Sequence, residues 1–194
     1  MALLRIHEIN SGRILIDGVD AATVGLQTLR RAVVVIPQEP VLLAGSVMFN
    51  LDPFGAFTQE DIVSVAKRVG LEQSSLDKSS AELLSAGERQ LVQMTRAILR
   101  KKTSQIVVLD EPTSNIDSST DKALEMIVRE EFIGKTRLVI AHRLSTVVHS
   151  DKIVVMQRGV VLEFGAPQDL LAKEDGEFRK MMNAYYEANQ QASL

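Results

Sequence analysis

The sequence contains no cysteine. That excludes a disulfide framework, a thiol nucleophile and Cys-ligated zinc or iron–sulfur centres, and it suits a reducing compartment. An excess of one charge is missing too: 22 basic side chains stand against 25 acidic ones, in no long block of either sign. A binder of a phosphate backbone needs a basic face, so nucleic acid is not an expected partner. Long apolar runs are also lacking. The longest, such as Ala32 to Pro37 and Ile106 to Leu109, span four to six residues, far below the roughly 20 that a membrane-spanning helix needs. The opening Met-Ala-Leu-Leu-Arg-Ile-His-Glu has too little apolar length and no cleavage pattern for a secretory signal, and reads better as the end of a helix. There is no internal repeat and no low-complexity tract. What is there, 194 residues of which 45% are hydrophobic, is enough for one soluble globular unit with a real core.

Short β-branched runs alternate with helical patterns, which predicts an α/β fold with a largely parallel sheet covered on both faces. Strands are expected at Arg13–Ile16, Ala32–Ile36, Gln105–Leu109, Arg137–Ile140, Lys152–Met156 and Val160–Glu163, the last two joined by a hairpin turn at Gln157-Arg-Gly159. Thr58, with Asp61 three positions on, opens a helix that carries Ile62, Val65, Ala66 and Val69 on one face and stops at Gly70. A second helix starts at Ser118 and closes by Gly134, a third runs from about Gly87 to Arg100, and a polar one from Glu177 to about Gln191. The Ser-, Asp-, Lys- and Glu-rich stretch Leu71–Ala81 reads as a surface loop.

Four places carry polar groups where chemistry collects in such folds. The apolar run Ile106–Leu109 ends in Asp110 and Glu111. Ligands of an open α/β sheet bind at the carboxyl ends of its strands. Adjacent residues on an extended chain point to opposite sides, so one acid would orient magnesium and the other polarise a water. A strand end with solvated acids would look the same. Ser85-Ala-Gly87 runs straight into a helix, offering a hydroxyl, free N–H groups and a positive dipole end to a phosphate; an ordinary Ser cap would also fit. His142 follows the strand at Arg137–Ile140, and Gln38 follows Val33–Pro37. His7 and His149 read as surface residues.

Six blocks occur in the order seen in ABC-transporter nucleotide-binding domains: Ser11–Asp20, Ile36-Pro-Gln-Glu-Pro-Val-Leu42, Asn50-Leu-Asp-Pro-Phe54, Leu84-Ser-Ala-Gly-Glu-Arg-Gln90, Val107-Val-Leu-Asp-Glu-Pro-Thr-Ser-Asn-Ile-Asp117 and Ile140-Ala-His-Arg-Leu-Ser145. The Asn-Leu-Asp-Pro-Phe block resembles subfamily C, the multidrug-resistance-associated type, and its second nucleotide-binding domain. The likeness covers nearly the whole chain. It implies a P-loop NTPase-type (RecA-like) sheet over residues 1–175, with a helical signature subdomain at about 50–104 and a helical tail at 176–194. It implies that Gln38 is the Q-loop glutamine, sensing magnesium and the attacking water. Ser85 and Gly87 would belong to the signature motif that touches the γ-phosphate of ATP held by the opposite domain. Asp110 would stand near magnesium, Glu111 would be the catalytic base, Asp117 would lie at the dimer interface and His142 on the γ-phosphate. ATP and Mg2+ are the implied cofactors. The implied partners are transmembrane domains and a second nucleotide-binding domain, head to tail, on the cytoplasmic face of a membrane.

The sequence departs from this pattern in three ways. No Gly-x-x-x-x-Gly-Lys-Ser/Thr occurs in the 194 residues, and the opening Met1–Ile6 resembles the helix that follows that loop. Several charge-assisted phosphate contacts, at about 1.5–3 kcal/mol each, would sum to roughly 5–9 kcal/mol, against about 8 for a micromolar site. These 194 residues alone are therefore expected to bind ATP weakly or not at all. The loop's strand would lie between those at Arg137–Ile140 and Lys152–Met156, so its absence predicts open strand edges and a marginal, aggregation-prone polypeptide. Glu88 stands where the resembled signature has Gln, placing a negative charge beside the expected phosphate. The stretch before the signature, Leu71–Leu83, is shorter than usual. Three expectations stand side by side: an ATPase module of an exporter, a non-catalytic module that donates the signature in trans, and an inactive fragment.

Overall fold

The computed structural model describes residues 1–110, 118–141 and 144–191, without the side chains of 118–123, 145–146 and 189–191. In chain order the elements are β1 (Leu15–Ile16), β2 (Val19–Asp20), α1 (Leu26–Ala32), β3 (Val33–Ile36), α2 (Val47–Leu51), α3 (Gln59–Val69), α4 (Gln73–Leu76), α5 (Ala86–Leu99), β4 (Ile106–Asp110), α6 (Ser118–Glu131), β5 (Thr136–Ile140), α7 (Leu144–Val147), β6 (Ile153–Gln157), β7 (Val160–Gly165), α8 (Pro167–Ala172) and α9 (Glu177–Gln191). They fall into two units, Met1–Ile140 and Ala141–Leu194.

In the first unit β3, β4 and β5 form a parallel sheet in that order. Its register runs from Val33 beside Ile106 to Ile36 beside Leu109, and from Ile106 beside Thr136 to Asp110 beside Ile140. Val34, Ile36, Val107 and Leu109 pack with Met94, Ala97 and Ile98 of α5 and with Leu124, Val128 and Phe132. The other flank of α5, Val92 and Leu99, closes a second cluster with Val47, Leu51, Ile62, Ala66, Leu71, Leu76, Ala81 and Leu84. One helix thus forms the wall shared by two cores. The stretch Leu71–Ala81 accordingly differs from the expected loop: its polar composition hides a short helix and three apolar anchors of the second core.

Local chemistry sets the helix ends. The Thr58 hydroxyl accepts from the Asp61 N–H at 3.1 Å and donates to the Asp61 carboxylate at 2.8 Å, starting α3. Gly70 stops it at φ 90°, a left-handed turn that only glycine takes without strain, and its N–H reaches the carbonyls of Ala66 and Lys67. The first turn of the chain, Ala2–Leu4, is a short 3₁₀ helix ending on Arg5. The antiparallel pair β1–β2 turns on Asp17 and Gly18, both at positive φ. This is the Asp-Gly hairpin that favours such angles.

β5 is an edge strand among the described residues, and all five of its residues are exposed. In the second unit β6 and β7 form an antiparallel hairpin joined by Arg158 and Gly159, again both at positive φ. Leu170, Phe178 and Met182 pack on Ile153 and Val155 to make its core.

Candidate functional site

The parallel register decides what meets at the carboxyl edge of the sheet. Asp110 closes β4 half-buried, directly beside Ile140 of β5, and Gln38 leaves β3 two residues beyond Ile36. Gln38 and Asp110 are thereby brought to one sheet edge, where α/β folds bind ligands. Glu111, Asp117 and His142 lie outside the described residues. The strands that lead to Glu111 and His142 are adjacent and in register up to Asp110 and Ile140. Among the described residues no three acidic or histidine side chains converge as a metal cluster. The oxygens of Asp110 and Gln38 are nonetheless hard donors of the type magnesium takes, alongside water and substrate phosphates.

Ser85 and Gly87 sit on a different element, at the N-terminus of α5. Ser85 is exposed, and its Oγ accepts from the Glu88 N–H at 3.3 Å while Glu88 Oε2 accepts from the Ser85 N–H at 2.7 Å. This reciprocal capping box satisfies two backbone donors. The Ala86 and Gly87 N–H groups have no acceptor among the described residues, as expected for the first helical positions. A Cβ at Gly87 would meet nothing within 4 Å, and the backbone there has no positive φ. Alanine would fit and would stabilise the helix by roughly 0.5–1 kcal/mol. Neither packing nor backbone angle inside the chain requires glycine here, and the helix end at Gly87 carries no side chain.

Glu88 is the centre of this end of the helix. Its second oxygen, Oε1, accepts from Lys78 Nζ at 2.7 Å and from the Ser75 hydroxyl. Partial burial opposes ionisation, but Lys78, Ser75 and Ser85 together outweigh it and hold the carboxyl at about 2, below its ordinary 4.5. The negative charge expected from the sequence at this position is thus matched by Lys78. Arg89 fixes the preceding turn by donating to the Leu84 and Glu82 carbonyls, both at 3.1 Å.

A second polar cluster ties α5 to the segment after Gln38. The fully buried Asn50 donates to the Leu43 and Ser46 carbonyls at 2.8 and 3.0 Å, and its Oδ1 accepts from the Leu43 N–H at 2.7 Å and from Arg96 at 2.7 Å. Arg96 also donates to the Asn50 and Val41 carbonyls, and Gln93 donates to Val41 at 2.8 Å. Sequence reasoning missed Lys78, Ser75 and this cluster. The Ser-x-x-Glu spacing of Ser85 and Glu88 was a legible capping signal, but nothing local announces partners 46 or 52 residues away.

Residues 1–114 match the family model described as ABC transporter. The chain belongs to the ABC transporter family. It is 41% identical over 185 residues to the Multidrug resistance protein fer6 of Mycosarcoma maydis, covering 94% of this chain and 14% of the relative. It is 40% identical over 188 residues to the ATP-binding cassette sub-family C member 2 of Rattus norvegicus, covering 92% of this chain and 12% of the relative. The chain thus spans a small part of the length of the curated relatives it matches. Among solved structures it resembles a bacterial Atm1-family ABC exporter with ATP bound, with a TM-score of 0.83 and 30% identity over 94% of this chain and 33% of that one. The subfamily C likeness is shared with the Rattus norvegicus relative, and the P-loop NTPase-type α/β fold with the solved exporter. No helix of the described residues is long and apolar enough to cross a membrane.

Proposed function

We propose that this family member is the nucleotide-binding domain of an exporter and couples ATP hydrolysis to transmembrane transport. The observation that carries the proposal is the split arrangement: an open helix end at Ser85 and Gly87, and a separate strand edge with Gln38 and Asp110. Two half-sites on one chain suit composite sites formed between two such domains, head to tail. In that arrangement Ser85 Oγ–H and the Ala86 and Gly87 N–H groups take the terminal phosphate of ATP held by the opposite domain. Asp110 and Gln38 hold magnesium, which when bound neutralises charge on the phosphate oxygens. Glu111 takes the proton of the attacking water, His142 hydrogen-bonds the γ-phosphate, and Asp117 lies at the interface. Transmembrane domains engage the module on the cytoplasmic face. Residues 1–175 make up the domain, 50–104 its helical signature part and 176–194 a tail.

The test is ATP turnover by the intact protein purified from membranes. Glu111→Gln is expected to lower kcat by roughly 10²–10⁴, the worth of a general base. An antibody to the Glu177–Leu194 segment is expected to find the protein in the membrane fraction. Turnover unaffected by Glu111→Gln overturns this reading.

A further inference from the structure

We propose that Lys78 is a positioning residue for Ser85, holding the phosphate-binding end of α5 in shape through Glu88. The inference rests on the reading of Ser85 and Gly87 as phosphate ligands and adds a residue that no sequence block includes.

Glu88 divides its two oxygens between different partners. Oε2 accepts from the Ser85 N–H at 2.7 Å, closing the cap, while Oε1 accepts from Lys78 Nζ at 2.7 Å and from the Ser75 hydroxyl. Ser85 in turn receives the Glu88 N–H on its Oγ, which leaves its hydroxyl hydrogen to donate outward. The carboxylate therefore bridges the loop before the helix and the residue that meets the ligand. Only a charged donor on Oε1 makes that bridge compatible with an anion nearby. With Lys78 in place the pair is neutral. Without it, a bare carboxylate would stand one helical turn from the bound phosphate and repel it.

Lys78 is itself held in place at its backbone. Its carbonyl accepts from the Val47 N–H at 3.3 Å and its N–H donates to the Ser75 carbonyl at 3.3 Å, while the Ala81 N–H reaches the Gly45 carbonyl at 2.8 Å. The ammonium group thus reaches Glu88 from a segment pinned to the start of α2. Glu88 in place of glutamine and Lys78 opposite it form one matched unit. An uncharged glutamine at that position would not need the lysine.

Two measurements on the intact protein test this. In MgATP turnover, Lys78→Met is expected to raise KM about tenfold, the size of one charge-assisted contact. The double variant Lys78→Met with Glu88→Gln is expected to return KM to within about twofold of Glu88→Gln alone, because the repelling charge has gone with its partner. Lys78→Arg keeps the charge and should behave like the parent. Without nucleotide, amide exchange at Ser85 and Glu88 is expected to speed up about tenfold in Lys78→Met, reading the loosened cap directly. A Lys78→Met protein with parental KM and parental exchange overturns the proposal. So does a loss that Glu88→Gln fails to relieve, since that would be ordinary structural damage. If Ser85→Ala itself leaves turnover unchanged, the phosphate reading fails as well, whereas a damaging Ser85→Ala with a silent Lys78→Met removes this inference alone.

Discussion

The two sides of the first unit treat their polar and apolar groups in opposite ways. Around α5, Asn50, Glu88, Arg89 and Arg96 complete one another's hydrogen bonds or those of nearby backbone, and Val92, Met94 and Ile98 are buried on both flanks. At β5, Leu138, Val139 and Ile140 stand 47%, 45% and 52% exposed on a strand that among the described residues is paired on one side only. The helical side is bonded largely within itself, apart from the buried Gln90 amide of α5, which has no partner among the described residues. The strand side offers unpaired backbone and apolar surface, which in native proteins is normally covered. The contrast is between a flank held by internal hydrogen bonds and a flank that presents open strand surface among the described residues.

The sharpest way to break this contrast is Asn50→Ala. Four hydrogen bonds of a fully buried side chain would go, leaving the Leu43 N–H and carbonyl and part of Arg96 without partners, while the Ser46 carbonyl keeps the backbone N–H of residue 50. The expected loss is roughly 2–4 kcal/mol in a denaturant midpoint. A loss near zero would mean that the helical side is less self-contained than its bonding implies.

A smaller effect follows from Glu88. Its carboxyl sits at about 2 when folded and near 4.5 when unfolded, so the folded state holds its proton less tightly. The stability it contributes is complete above about 4.5 and is lost as pH falls toward about 2. Acid titration of the parent and of Glu88→Gln should therefore converge across that window. Parallel curves would show that Lys78 and Ser75 do not favour the ionised form.

What could be read in the sequence follows the same division between local and distant causes. Thr58 with Asp61, and Gly70, mark both ends of α3 within a few residues, and the β-branched runs mark β3, β4 and β5. The Arg158-Gly159 turn was legible for the same reason. The Asp17-Gly18 turn carried an equal signal, yet its partner strand Val19–Asp20 is only two residues long and too short to show a period. Leu71, Leu76 and Ala81 were hidden among polar neighbours because their burial is set by α2, α3 and α5 and not by their own pattern. In the candidate site, Ser85 and Asp110 stood out as residue types at element ends. Lys78 did not, since a lysine in a polar stretch is identified only by the carboxylate it faces.

The smallest expected change in stability is the most informative about the strand side. Val139 lies on β5 and is 45% exposed, and all its β5 neighbours are exposed too. Lysine there would keep the backbone pairing with Leu109 of β4 and cost within about 0.5 kcal/mol, as exposed positions do. It would also place a charge on an apolar edge, the device by which natural sheets discourage edge-to-edge pairing. Val139→Lys in the 194-residue chain is therefore expected to reduce aggregation, read by light scattering, with an almost unchanged unfolding midpoint. If instead the midpoint falls by about 2 kcal/mol or more, as for a buried aliphatic side chain, then β5 is already covered in solution. The strand side would then be as self-contained as the helical one.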